Sequence, residues 1–116
     1  MLARAELSPR ARLLELFAAL GEQLPVRGCP FVNAAVELAD PAHPAHRFAA
    51  EHKLRFTERL TDIARDAGAR PAEQVSRRLA LLYDGAAAQL AVTSSAEPAA
   101  EAYAMAAALL REAIDR

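Results

Sequence analysis

Few residues in this 116-residue chain carry reactive or ligating side chains. The lone cysteine, Cys29, follows Gly28 in a turn that leads into a helix, where free backbone N–H groups can lower a thiol pKa. The plainer role for it is packing, as a small apolar side chain beside Phe31. One cysteine can form neither an internal disulfide nor a thiolate metal cage. His43, His46 and His52, with Glu37 and Asp40 nearby, have the composition of a metal site without its spacing. His43 and His46 straddle a proline at a helix start, and His52 falls on another side of that helix. Helix-end capping and surface exposure account for them, and neither a metal nor another cofactor is expected. There is no Gly-rich phosphate loop and no framed pair of carboxylates, and the cysteine has no base beyond these histidines. An enzyme is not expected.

The chemistry that remains is recognition. Asn33 and Glu37 stand four apart on one face of an otherwise apolar helix. They can orient a ligand, face solvent or cap a neighbouring turn. His52 lies on an apolar stripe between Phe48 and Phe56, the place of a hydrogen-bonded core histidine or of the isolated polar group in a pocket wall. Tyr83 is expected to be buried. Asp84, beside Gly85 in mid-helix, needs solvent or a partner. The short basic clusters at Arg10 and Arg12 and at Arg77-Arg78 read as solvated faces.

The elements that must position these groups are helices. Apolar residues make up 53% of the chain and aromatic residues only 5%, with no Trp. The 30 alanines, about a quarter of the chain, favour close helix packing over the pleated faces of a sheet. Five helices are predicted. The first runs from an N-cap at Ser8, through Pro9, to Leu20, with Leu13, Leu16, Phe17, Leu20 and Leu24 on one stripe. A short second spans Phe31 to Leu38. A long third, from Pro44 to Ala67, carries Phe48, His52, Phe56, Leu60 and Ile63 on one side and ends at Gly68. The fourth starts at Pro71, and the fifth spans Ala99 to Asp115.

From Leu79 to Val92 and from Ala102 to Leu110 these last two helices are apolar on nearly every side. Such helices must be covered all round, which a five-helix domain cannot do alone. The expectation is a homodimer in which both helices meet their copies in a four-helix bundle, the alternative being that they form the central core of a monomer. Leu82, Leu90, Tyr103, Leu109 and Leu110 would be the large contacts, and Gly85, Ala86, Ala87, Ala106 and Ala107 the points of close approach.

Two runs of residues carry a resemblance. Arg27-Gly28-Cys29-Pro30-Phe31-Val32-Asn33-Ala34-Ala35-Val36-Glu37-Leu38, followed by Asp40-Pro41-Ala42-His43-Pro44, resembles the C-terminal domain of TetR/AcrR-type transcriptional regulators. So does Leu81-Leu82-Tyr83-Asp84-Gly85-Ala86. The resemblance extends from Ser8 onward. It implies an all-α, five-helix effector-binding and dimerisation domain whose last two helices pair across a homodimer. It further implies a small-molecule pocket and a repressor whose operator binding is relieved by the ligand. The family's N-terminal helix-turn-helix has no counterpart here, and Met1 to Leu7 match only the tail of the helix that follows it. The expectation is therefore a single domain, 1–116, belonging to a longer protein, with a misplaced start and a headless relative as alternatives.

The pocket expected on this basis draws on Phe17, Cys29, Phe31, Asn33, His52, Phe56 and Tyr83, and takes a small, mostly apolar effector. The alternative function is a stand-alone helical interaction module without a ligand. A cavity lined by residues such as Phe17, Phe31, His52 and Phe56 separates the two. Fourteen basic residues against 15 acidic ones leave a net charge of −1, too little to grip phosphates, so DNA contact is expected only through the absent N-terminal domain. No apolar run is long enough to span a bilayer and no signal peptide is recognisable, so no membrane partner and a cytoplasmic location are expected.

Overall fold

The computed structural model describes residues 6–22 and 42–115, and these form four helices and no strand. In chain order they are α1 (Pro9–Leu20), α2 (Pro44–Asp66), α3 (Ala72–Thr93) and α4 (Glu97–Ile114). The predicted short helix from Phe31 to Leu38 lies outside the described residues.

Local chemistry sets the boundaries. Ser8 Oγ accepts from the Ala11 N–H at 3.1 Å, which satisfies a donor that the first turn of α1 leaves free, and Pro9 follows with its φ already helical. His43 caps α2 in the same way, Nδ1 accepting from the Ala45 N–H at 3.1 Å. At the other end of α2, Gly68 adopts φ +85°, a left-handed conformation that costs a glycine little. That turn lets the Gly68 N–H donate to the Arg65 carbonyl and the Ala69 N–H to the Ala64 carbonyl, both at 3.0 Å. Ser94, at φ 52°, ends α3.

The helices close into a ring. α2 packs on α3, α3 on α4, and α1 lies between α4 and α2. Leu13 and Phe17 of α1, Leu60 of α2, Val75, Leu79 and Leu90 of α3 and Leu110 of α4 are almost wholly buried at its centre. Burying each such side chain contributes roughly 1.5–3 kcal/mol. Ser76 is buried among them, its hydroxyl 2.6 Å from that of Thr61 and 3.0 Å from the Glu73 carbonyl, so α2 and α3 share a polar tie inside an apolar contact.

The alanines are placed differently from expectation. Ala99, Ala102, Ala106 and Ala113 line the buried face of α4, and a Cβ added at Gly21 would come within 3.2 Å of the Ala99 Cβ. Much of the small-residue surface of the last helix is therefore used inside the protomer, where it admits a closely approaching neighbour. The Arg10–Asp115 ion pair, at 2.6 Å, joins α1 to the end of α4 on the outside.

Candidate functional site

α3 separates two surfaces. On the side facing α1 and α2, three rings meet. The Tyr83 ring stands edge-on to Phe17, with centroids 6.1 Å apart, and is tilted against Phe56 at 5.4 Å. Each of the three comes from a different helix, so the cluster reports the mutual placement of α1, α2 and α3. These distances are those of direct ring contact and leave no ligand-sized gap between the three.

At the outer edge of this cluster a charge pair joins α2 to α3. Lys53 Nζ donates to Asp84 Oδ1 at 2.6 Å and lies 5.4 Å from the centroid of the Phe56 ring. The ammonium thus has a carboxylate and an aromatic face as neighbours at once. Lys53 is the sole lysine in the chain; the other 13 basic residues are arginines.

On the opposite side, α3 and α4 form an open groove of about 530 Å³. Its apolar lining includes Leu81, Leu82, Gly85, Ala86, Ala102 and Met105, and Gln89, Glu97 and Glu101 also contribute. Leu81 is 73% exposed and Met105 56%, a large apolar area to leave in water. Among the described residues, nothing lies within 4 Å of where a Cβ at Gly85 would stand. A glycine within a helix costs up to about 1 kcal/mol relative to alanine, and nothing among the described residues requires one here.

Of the expected pocket residues, the structure brings together Phe17, Phe56 and Tyr83. It does not bring His52 into the core. His52 is exposed on α2, because the apolar stripe of that helix is buried mainly in its C-terminal half, at Leu60, Ile63 and Ala64, while Phe48 and Leu54 face outward. Cys29, Phe31 and Asn33 lie outside the described residues. His43 has the helix-capping role already described.

The expected interface residues divide. Leu90, Ala106 and Leu110 are buried in their own protomer beneath the α3–α4 face, and Ala86, also buried, lines the floor of the groove. Gly85 and Tyr103 are exposed, and Leu82, Ala87, Ala107 and Leu109 half-buried. Leu81 and Met105 were missed, since on helices apolar all round the sequence does not mark which side is left over. Lys53 was missed for another reason: its partner is 31 residues away, and only the tertiary fold joins them.

Two carboxylates outside these surfaces are shifted. Glu73, near the start of α3, is held below its ordinary value by a hydrogen bond from its own backbone and by the Arg65 guanidinium at 2.8 Å. Asp115 is lowered by its hydrogen bond from Arg10. Among the described residues no three of His, Cys, Asp or Glu are grouped to hold a metal ion, and no helix is long and apolar enough to cross a membrane.

No protein-family model matches the sequence, and no curated protein matches it. A solved structure does: the crystal structure of a "putative TetR-transcriptional regulator" from Streptomyces avermitilis superposes with a TM-score of 0.81 and 30% sequence identity. The match covers 97% of this chain and 62% of that one, so the chain spans less than two thirds of that protein's length. Over the part it spans, this chain has the fold of a TetR-family transcriptional regulator.

Proposed function

We propose that this chain is the effector-sensing and dimerisation part of a TetR-type transcriptional repressor working in the cytoplasm. The observation that carries the reading is the match over 97% of the chain at 30% identity, a likeness in sequence as well as fold. Two copies would pair through the α3–α4 groove. Exposed Leu81 and Met105 supply the apolar area, and Gly85, with open space where its Cβ would be among the described residues, is the point where a second backbone can come close. A small effector would act beside the Phe17–Phe56–Tyr83 cluster. Its unequal affinity for two arrangements of α1, α2 and α3 is the coupling energy, typically about 1–3 kcal/mol, that is passed to the operator-reading helices of a longer protein.

The direct test is oligomeric state with and without a wedge in the groove. Sedimentation equilibrium of the chain at about ten micromolar should give twice 12.5 kDa, and Gly85→Arg should give 12.5 kDa with unchanged helical content. A monomeric parent chain rejects the pairing. The second reading, a helical interaction module without a ligand, draws support from the direct ring contacts, which leave the aromatic cluster closed.

A further inference from the structure

We infer that the edge of the aromatic cluster is a cation site, and that the effector is an organic ammonium compound with an apolar body that takes the place of the Lys53 side chain. The structure already holds an ammonium group there. Lys53 Nζ is 2.6 Å from Asp84 Oδ1 and 5.4 Å from the Phe56 centroid, and the Tyr83 ring lies against Phe56. A carboxylate and electron-rich ring faces are the two groups that recognise alkylammonium ions.

The pair could instead offer Lys53 to an anion, but the asymmetry of the two partners argues against this. An anion at Lys53 would meet the Asp84 carboxylate and the negative face of Phe56. A cation at Asp84 would, among the described residues, displace the Lys53 ammonium, whose four-carbon stem can carry its charge out to solvent at little cost. Asp84 has a short side chain on a packed helix and cannot withdraw in the same way. Both groups are reachable, Lys53 being 26% and Asp84 42% exposed, and neither lies in the fully closed core. In every other basic residue the chain uses the bulkier, flat guanidinium, and the compact ammonium occurs only here. Exchange would also break a bond that ties α2 to α3 at Asp84, next to Gly85 of the groove.

This ligand class rests on the reading of the chain as a sensing domain, and the two can fail separately. Reductive methylation with ¹³C-formaldehyde labels Lys53 and the α-amino group alone, giving a nuclear magnetic resonance signal for the amine in question. Benzyltrimethylammonium added to the labelled chain should move the Lys53 signal to the position of a free side chain, and benzoate should not. Calorimetry should show Lys53→Met binding benzyltrimethylammonium at least tenfold more tightly than the parent chain, and Lys53→Met with Asp84→Asn losing at least tenfold of that. Should Lys53→Met fail to fold, the titration of the labelled parent decides alone. A Lys53 signal that responds to benzoate and not to the cation overturns the class while leaving a sensing domain. Equal binding of the cation by the single and double variants overturns the site. Binding of the cation by a chain that is monomeric rejects the dimeric reading and keeps the site.

Discussion

The two sides of α3 solve the problem of an apolar helix in opposite ways. Toward α1 and α2, Tyr83 is packed between two rings and Asp84 is neutralised by Lys53, so that surface is completed within the protomer. Toward the groove, Leu81 and Gly85 have no comparable covering, and across from them Met105 of α4 is equally bare. Both sides come from the single run Leu81-Leu82-Tyr83-Asp84-Gly85-Ala86. Adjacent residues on a helix point about 100° apart, so six residues suffice to place a closed surface and an open one back to back. A change at the closed side can therefore reach the open one through a single helical turn.

The comparison is broken most severely from the closed side. Phe17 is buried at the meeting point of three helices, and Phe17→Ala should cost about 3–5 kcal/mol of stability in urea unfolding, through lost burial and the cavity left behind. A loss of less than about 1 kcal/mol would mean that the rings do not hold α1, α2 and α3 in place.

Gly85→Ala separates the two sides more finely, because it should move two measurements in opposite directions. The added methyl meets nothing among the described residues, so unfolding measured at concentrations where the chain is monomeric should show a gain of about 0.5–1 kcal/mol. Close approach of a second α3 would make the same methyl weaken pairing severalfold. If both pairing and protomer stability rise, no second backbone stands near Gly85.

A smaller effect belongs to the outer ion pair. Asp115 is held below its ordinary value of 3.8 by Arg10, and a carboxylate lowered on folding stabilises the fold above the unfolded value and loses that contribution as pH falls through the folded one. Thermal midpoints should therefore decline as pH drops below about 4, and Asp115→Asn should make that decline shallower. An unchanged pH profile in Asp115→Asn would show that Arg10 and Asp115 do not interact in solution.

Much of the architecture was legible in the sequence because helix ends have local causes. Ser8-Pro9, His43-Pro44, Gly68 and Pro71 each act on neighbouring backbone, and four of the predicted helices appear within a few residues of the expected bounds. Orientation was less legible. On a helix such as α4, where alanines recur on every side, periodicity cannot tell the face that meets α1 from the face left open. Ala106 and Leu110 accordingly turned out to be core residues, and Met105 an exposed one. The stripe through Phe48, His52 and Phe56 was read as facing the core or a pocket wall, but a 23-residue helix is longer than the core it crosses, and apart from Ala49 its buried residues, Leu60, Ile63 and Ala64, lie in its C-terminal half. The need of Asp84 for a partner was readable from a charge in mid-helix; that the partner is Lys53 depends on how α2 and α3 cross.

The central claim is that the open side of α3 is completed by a second copy of this chain. Sedimentation equilibrium on the parent chain and on Gly85→Arg, at matched concentrations near ten micromolar, tests it most directly. The account predicts a mass of twice 12.5 kDa for the parent and 12.5 kDa for a variant that keeps its helical content. A parent chain that sediments as a monomer, or a Gly85→Arg variant that remains a dimer, would contradict it.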